Sequence, residues 1–125
     1  MLTRGMAYQI TSRGQFAAAH QLRLLDGTLE PLHGHNWRYA VTVESARLDP
    51  MGCVMDFHEL QRRIAQSVGP LHNAHLNDLR AFASTQPSAE NVAVYLAGSL
   101  NLPQGVRLVR VEVWETDENS AVWTA

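Results

Sequence analysis

The sequence predicts an α+β fold: a four-stranded antiparallel sheet with two helices on one face, in the chain order β-β-α-α-β-β. Three observations carry this. Residues 32–48 and 106–115 alternate apolar with polar side chains, the period of a strand covered on one face. Between them, residues 57–71 and 88–100 space their apolar side chains at three and four, the period of a helix packed on one side. Each helical stretch opens on a residue suited to capping a helix N-terminus, Asp56 and Ser88.

Ala7 to His20 reads as the first strand, running into Phe16-Ala17-Ala18-Ala19-His20. Gly14 marks a bulge or bend within it, although the three alanines also suit a helix start. Arg23 to Leu32 is a loop with Asp26-Gly27 as its turn and Pro31 as a breaker. Leu32 to Leu48 forms the second strand. One face carries His33, His35, Trp37, Tyr39, Val41 and Val43; the other carries Asn36, Arg38, Ala40, Thr42 and Glu44. Trp37 and Tyr39 belong to the core.

Asp49-Pro50-Met51-Gly52 is a turn, and Asp56 caps a first helix whose spaced residues are Phe57, Leu60, Gln61, Ile64, Val68 and Leu71, all but Gln61 apolar. Gly69-Pro70 breaks it. A histidine-rich bend covers Leu71 to Asp78. Ser88 opens a second helix that buries Val92, Leu96, Ser99 and Leu100, with Glu90 in its first turn. Val106 to Glu115 is the third strand, Asp117 to Ser120 a turn, and Ala121 to Ala125 the last strand. The face left uncovered by helices carries Arg38, Thr42, Arg110 and Glu112, too polar for a core and suited to solvent or a channel.

The 125 residues are expected to form one domain, residues 1–125. A net charge of -2 offers nothing to nucleic acid or to an anionic membrane. All ten basic residues are arginine, so no lysine side chain is available for Schiff-base chemistry. The single cysteine, Cys53, excludes an intrachain disulfide. No apolar run reaches spanning length, and Met1 to Ile10 lacks the apolar core of a signal peptide, so a cytoplasmic protein is expected.

The candidate chemistry centres on Leu32-His33-Gly34-His35-Asn36-Trp37. Residues two apart on a strand share a face, so His33 and His35 project together. With His20 arriving from a neighbouring segment, three imidazoles give the donor set of a catalytic zinc site, which keeps a fourth position open for water or substrate. The spacing alone equally allows three unrelated histidines. A structural zinc domain is a further alternative, though such sites usually close with four ligands.

Several short motifs occur in one order: Phe16-x-Ala-Ala-His20, His33-Gly34-His35-Asn36, Asp56-Phe57-x-x-Leu60, Leu76-Asn77, Pro87-Ser88-x-Glu90-Asn91 and Glu115-Thr116. In this the chain resembles the 6-pyruvoyltetrahydropterin synthase / 6-carboxytetrahydropterin synthase family, the latter of the queuosine pathway, over nearly its whole length. The resemblance implies the tunnelling fold, in which three subunits join their sheets into a barrel and two trimers stack into a hexamer. It implies Zn2+ held by His20, His33 and His35, with the polar sheet face as the tunnel wall. It also implies that Glu115 anchors a pterin. A carboxylate suits that task, accepting two parallel hydrogen bonds from the 2-amino group and a ring N–H. Thr116 and Ser88 would add contacts to the substrate.

The chain departs from the family where the chemistry is done. The usual cysteine, four residues before the first histidine of His-Gly-His, is Leu29 here; the assisting Asp and His of Leu-Asp-His-x-x-Leu-Asn are His72 and Asn73. Cys53 lies beyond the second strand and is no substitute by position. Glu30 adjoins the vacated slot and reads either as a general base or as an exposed loop charge. One branch of the family uses a Glu near that position and cleaves the side chain to a hydroxymethylpterin. His72 is a candidate for proton transfer from a neighbouring subunit. His75 reads as structural and His58 as solvated. Two functions follow: a zinc-dependent lyase acting on 7,8-dihydroneopterin triphosphate to give a carboxy-, pyruvoyl- or hydroxymethyl-pterin, or a zinc- and pterin-binding homologue without turnover.

Overall fold

The two longest strands set the frame. The computed structural model describes residues 6–125. Strand β1 (Tyr8–His20) pairs antiparallel with β2 (His33–Ser45) along its full length, from Tyr8 opposite Ser45 to His20 opposite His33. The alanine run is therefore strand; its ladder to Asn36, His35 and Gly34 of β2 overrides the helix propensity of alanine. Ser12, Phe16, Ala18 and His20 of β1 point to the same side as Trp37, Val41 and Val43 of β2 and are buried there. Phe16 and Trp37 face each other across the ladder, their rings parallel at 5.9 Å, and the Trp37 indole N–H donates to the Ala18 carbonyl at 3.2 Å.

The sheet has five strands, not four. Its order is β3-β1-β2-β4-β5, with β4 at Arg107–Trp114 and β5 at Ser120–Thr124. The extra strand β3 (Ala74–His75) runs parallel to β1 beside Ala18 and Ala19. Two residues within a polar bend have no alternation to betray them. The other pairings are antiparallel. Gly14 is no bulge: β1 and β2 stay in register through it. It is a clearance, because a Cβ there would lie 2.1 Å from the Tyr39 hydroxyl oxygen. The irregularity falls instead between Thr42 and Val43, where β2 meets β4.

Helices α1 (Phe57–Val68) and α2 (Ala89–Ser99) cover the apolar side of the sheet. Asp56 caps α1 by accepting the His58 N–H at 2.9 Å, and Ser88 caps α2 by accepting the Asn91 N–H at 3.1 Å. Leu60, Ile64 and Val68 of α1 and Val92, Ala93 and Leu96 of α2 enter the core. Phe57 does not: at the first turn it is 53% exposed. Ser99 is exposed as well, in the last turn of α2, and Ala89 and Ala93 supply the buried side in its place.

The opposite face of the sheet is polar, as its pattern predicts. Arg110 pairs with Glu112 at 3.0 Å, and Arg38 reaches Asp117 at 3.1 Å while lying 5.6 Å above the Trp114 ring. Thr42 is buried there, sharing a 2.8 Å hydrogen bond with Thr11. Among the described residues no helix is long and apolar enough to cross a membrane.

Candidate metal centre

Because His20 ends β1 directly opposite His33 at the start of β2, the register itself brings their rings together. The two Nε2 atoms lie 3.1 Å apart. His35, one same-face step along β2, completes the trio; the three rings sit edge to face with centroids 4.7–5.2 Å apart. The fourth member is Glu115, the first residue after β4. Its Oε1 is 3.0 Å from His35 Nε2, 3.4 Å from His20 Nε2 and 4.0 Å from His33 Nε2. All four donor atoms fall within 4.8 Å of one another. A tetrahedral ion with zinc-length bonds separates its ligand atoms by roughly 3.3–3.4 Å, so these spacings need little adjustment.

The hydrogen bonds behind the rings fix how they face the centre. His20 Nδ1 lies 2.7 Å from the Pro87 carbonyl oxygen, and His33 Nδ1 lies 2.8 Å from that of Pro31. A carbonyl only accepts, so each Nδ1 carries a proton, and each ring when neutral turns an Nε2 lone pair inward. Two lone pairs and a carboxylate then converge on one point, which is repulsive without a cation. Metal-ligating histidines commonly donate their second N–H to a backbone carbonyl in this way. His35 Nε2 is buried and, despite the nearby carboxylate, has no properly directed hydrogen-bond partner. Burial pushes the pKa of His35 below its ordinary value, and the neighbouring His20 and His33 add to this against the pull of Glu115. The shift favours the neutral ring, the form that binds a metal. The donor set fits zinc: nitrogen and carboxylate oxygen in a four-cornered arrangement.

The family model for 6-pyruvoyl tetrahydropterin synthase matches residues 9–125. The chain belongs to that family. It is 35% identical to human 6-pyruvoyl tetrahydrobiopterin synthase, over 92% of this chain and 90% of the relative. It is 33% identical to the dihydroneopterin monophosphate aldolase of Pyrococcus furiosus, over 90% and 94%. With the 6-carboxy-5,6,7,8-tetrahydropterin synthase of Synechocystis it shares 36% over 85% and 84%. The fold agrees with that of Caenorhabditis elegans 6-pyruvoyl tetrahydropterin synthase, with a TM-score of 0.79, 23% identity and 99% of each chain covered.

Within this 6-pyruvoyl tetrahydropterin synthase fold the remaining candidates separate. Glu30 lies at the centre's edge, its Oε1 4.0 Å from His33 Nε2. It is held by two contacts to Leu22: its N–H donates to the Leu22 carbonyl, and its carboxylate accepts the Leu22 N–H, each at 2.9 Å. Leu29, which the resemblance sets in the slot of the usual cysteine, is about half exposed. His72 stands outside the four-residue cluster of its own chain, and its Nδ1 accepts the Ala17 N–H at 3.2 Å. Ala17 and Asn73 belong to a shallow depression of ≈ 430 Å³ that also reaches His35 and Asn36. Thr116 Oγ1 is buried without a partner beside Glu115, whereas Ser88 Oγ is spent on capping α2. His75 is only half satisfied: Nδ1 is 3.2 Å from Asp78, but Nε2 is buried and unpaired. Cys53 sits in a turn, Sγ 3.8 Å from the Met51 carbonyl, outside the cluster, and His58 is exposed.

Sequence reasoning gave Glu115 to the ligand and the fourth corner to water; the structure puts Glu115 Oε1 among the histidines. The strand register is the cause. The β2–β4 register sets Trp114 opposite Arg38, so the next residue falls level with the histidine end of β2. The prolyl carbonyls that orient His20 and His33 had no signal beyond the presence of Pro31 and Pro87.

Proposed function

We propose that this protein is a zinc-dependent pterin lyase that acts on 7,8-dihydroneopterin triphosphate or a related dihydroneopterin phosphate, cleaving the three-carbon side chain to leave a 6-hydroxymethyl group. The observation that carries this reading is Glu30, a carboxylate fixed 4.0 Å from a candidate ligand in a chain whose cysteine slot is Leu29. The similarity to a protein named an aldolase supports cleavage as the reaction. A Plasmodium vivax 6-pyruvoyltetrahydropterin synthase structure is described as a catalytic-residue mutant at a glutamate, so that residue type serves in this fold.

Zinc held by His20, His33 and His35 would supply Lewis acidity to the side-chain oxygens. Glu115 accepts the 2-amino and ring N–H groups and so fixes the ring. Glu30 takes the proton from the second side-chain hydroxyl. The bond between the first and second side-chain carbons breaks, and its electron pair moves into the C6–N5 unit of the ring. Reprotonation at the first carbon gives the hydroxymethyl group, and a two-carbon aldehyde bearing the phosphate leaves. His72, with Nδ1 accepting a backbone N–H, carries its proton on Nε2 when neutral. It is exposed, and we place it as proton donor to the site of an adjoining subunit in a hexamer built from two trimers. Two features support that assembly: the unpaired outer edges of β3 and β5 and the polar sheet face.

The test is incubation of zinc-loaded protein with dihydroneopterin triphosphate and monophosphate, with products identified by mass spectrometry. A hydroxymethylpterin supports the reading; a carboxy- or pyruvoyl-pterin would replace it with the synthase reaction. The replaced Cys, Asp and His slots favour one second reading, a pterin-binding protein without turnover. Tight binding with no product from either substrate would establish that.

A further inference from the structure

We infer that Glu115 also determines which molecules reach the metal, because its carboxylate has two possible partners and can serve only one at a time. The inference rests on the pterin reading above. Glu115 Oε1 lies 3.0–4.0 Å from the three Nε2 atoms, where it would fill the corner that a catalytic zinc site keeps open. A ring edge bound through two parallel hydrogen bonds needs both oxygens of the same carboxylate. The two arrangements exclude each other, so substrate must draw Glu115 away from the histidines as it binds.

The local structure suits this exchange. The Glu115 N–H donates to the Asn119 carbonyl at 3.1 Å, closing the turn before β5 and holding the backbone still. The side chain is 30% exposed and has no neutralising arginine; its ionisable neighbours within 4.0 Å are the three histidines alone among the described residues. Thr116 Oγ1, next along the chain, is buried and unpartnered. A side-chain rotation is therefore enough to open the centre. The consequence is selectivity. A small ligand with a metal-seeking oxygen but no N–H edge meets a filled corner. A pterin with side-chain hydroxyls captures the carboxylate and the freed corner together.

The experiment uses full-length protein loaded with cobalt(II), whose visible spectrum reports coordination without turnover. Neopterin and acetohydroxamate are the two probes, each with the unaltered protein, Glu115→Gln and Glu115→Asp. Neopterin should change the spectrum of the unaltered protein at concentrations where acetohydroxamate leaves it unchanged. In Glu115→Gln the resting spectrum should already differ. Acetohydroxamate should bind about tenfold more tightly or better, and neopterin more weakly. Glu115→Asp keeps the charge on a shorter arm and guards against misfolding of the Gln variant; it too should admit acetohydroxamate. Resting spectra identical in all three proteins, with unchanged acetohydroxamate affinity, would overturn the inference. If the spectra and acetohydroxamate behave as expected but neopterin binds none of the proteins, Glu115 still closes the site and the pterin reading falls.

Discussion

Replacing Glu30 by Gln isolates its chemical role from its structural one. The carboxylate accepts the Leu22 N–H at 2.9 Å, and the carbonyl oxygen of a glutamine side chain can accept the same bond. The backbone bond from Glu30 N–H to the Leu22 carbonyl is untouched. The change therefore replaces a charged acceptor by a neutral one, a difference of about 1 kcal/mol, or roughly 2–6 °C in Tm for a chain of this size. The catalytic loss should be far larger. Removing a general base costs about 10²–10⁴ in rate, or about 3–5 kcal/mol of barrier. The assay is kcat for hydroxymethylpterin formation beside a thermal melt and a pterin-binding titration. The expected pattern is kcat down by at least about 10², neopterin affinity unchanged and Tm within a few degrees. A Gln variant with full kcat would refute the assignment, and the contacts to Leu22 would then explain Glu30 as a loop staple only.

Zinc should stabilise the chain by about 2.7 kcal/mol at one hundred times its Kd; the Tm rise should vanish in His33→Ala, and a chelator-insensitive melt would contradict the centre. Gly14→Ala should cost about 1–3 kcal/mol by overpacking against Tyr39, and Tyr39→Leu should recover most of it in a double-mutant cycle read by denaturant melts. Glu59 has its pKa lowered from 4.5 to about 2, first by the hydrogen bond from Arg62 and then by that from Arg63. Its contribution is present above pH 4.5 and lost as the pH falls toward 2, so Glu59→Gln should flatten the acid limb of stability in that window. His72→Ala should lower turnover by roughly 10²-fold while Cys53→Ala leaves it unchanged; the reverse result would place the reacting thiol at Cys53.

How far the fold could be read from the sequence depended on what each residue faces. Trp37, Val41 and Val43 face one covered side, so their alternation located β2 within about three residues at each end. Asp56 and Ser88 located both helices because capping is a local contact. The short β3 escaped, since its two residues are defined by what Ala18 and Ala19 offer and not by their own pattern. Phe57 and Ser99 were misplaced because the period assigns a face but not how far the sheet extends beneath a helix end. At the site, His33 and His35 followed from spacing within one strand, and His20 from its place at the end of the strand before them, a trio the resemblance then reinforced. Glu115 arrives from β4, far along the chain, and its distance to His35 depends on a ladder register that the sequence leaves implicit.

The direct opposition of His20 and His33 ties the metal to the register of the whole β1–β2 ribbon. A slip of one residue would swing one of the two imidazoles to the other face and dissolve the donor set. An ion bound there would proofread the pairing, because only the native alignment closes the chelate. Once closed, it would fasten one end of the ribbon much as a disulfide does. The strands of the loaded protein can then separate only from the opposite end, where Tyr8 meets Ser45, and protection of their amides from exchange should grade upward from that end toward the histidines.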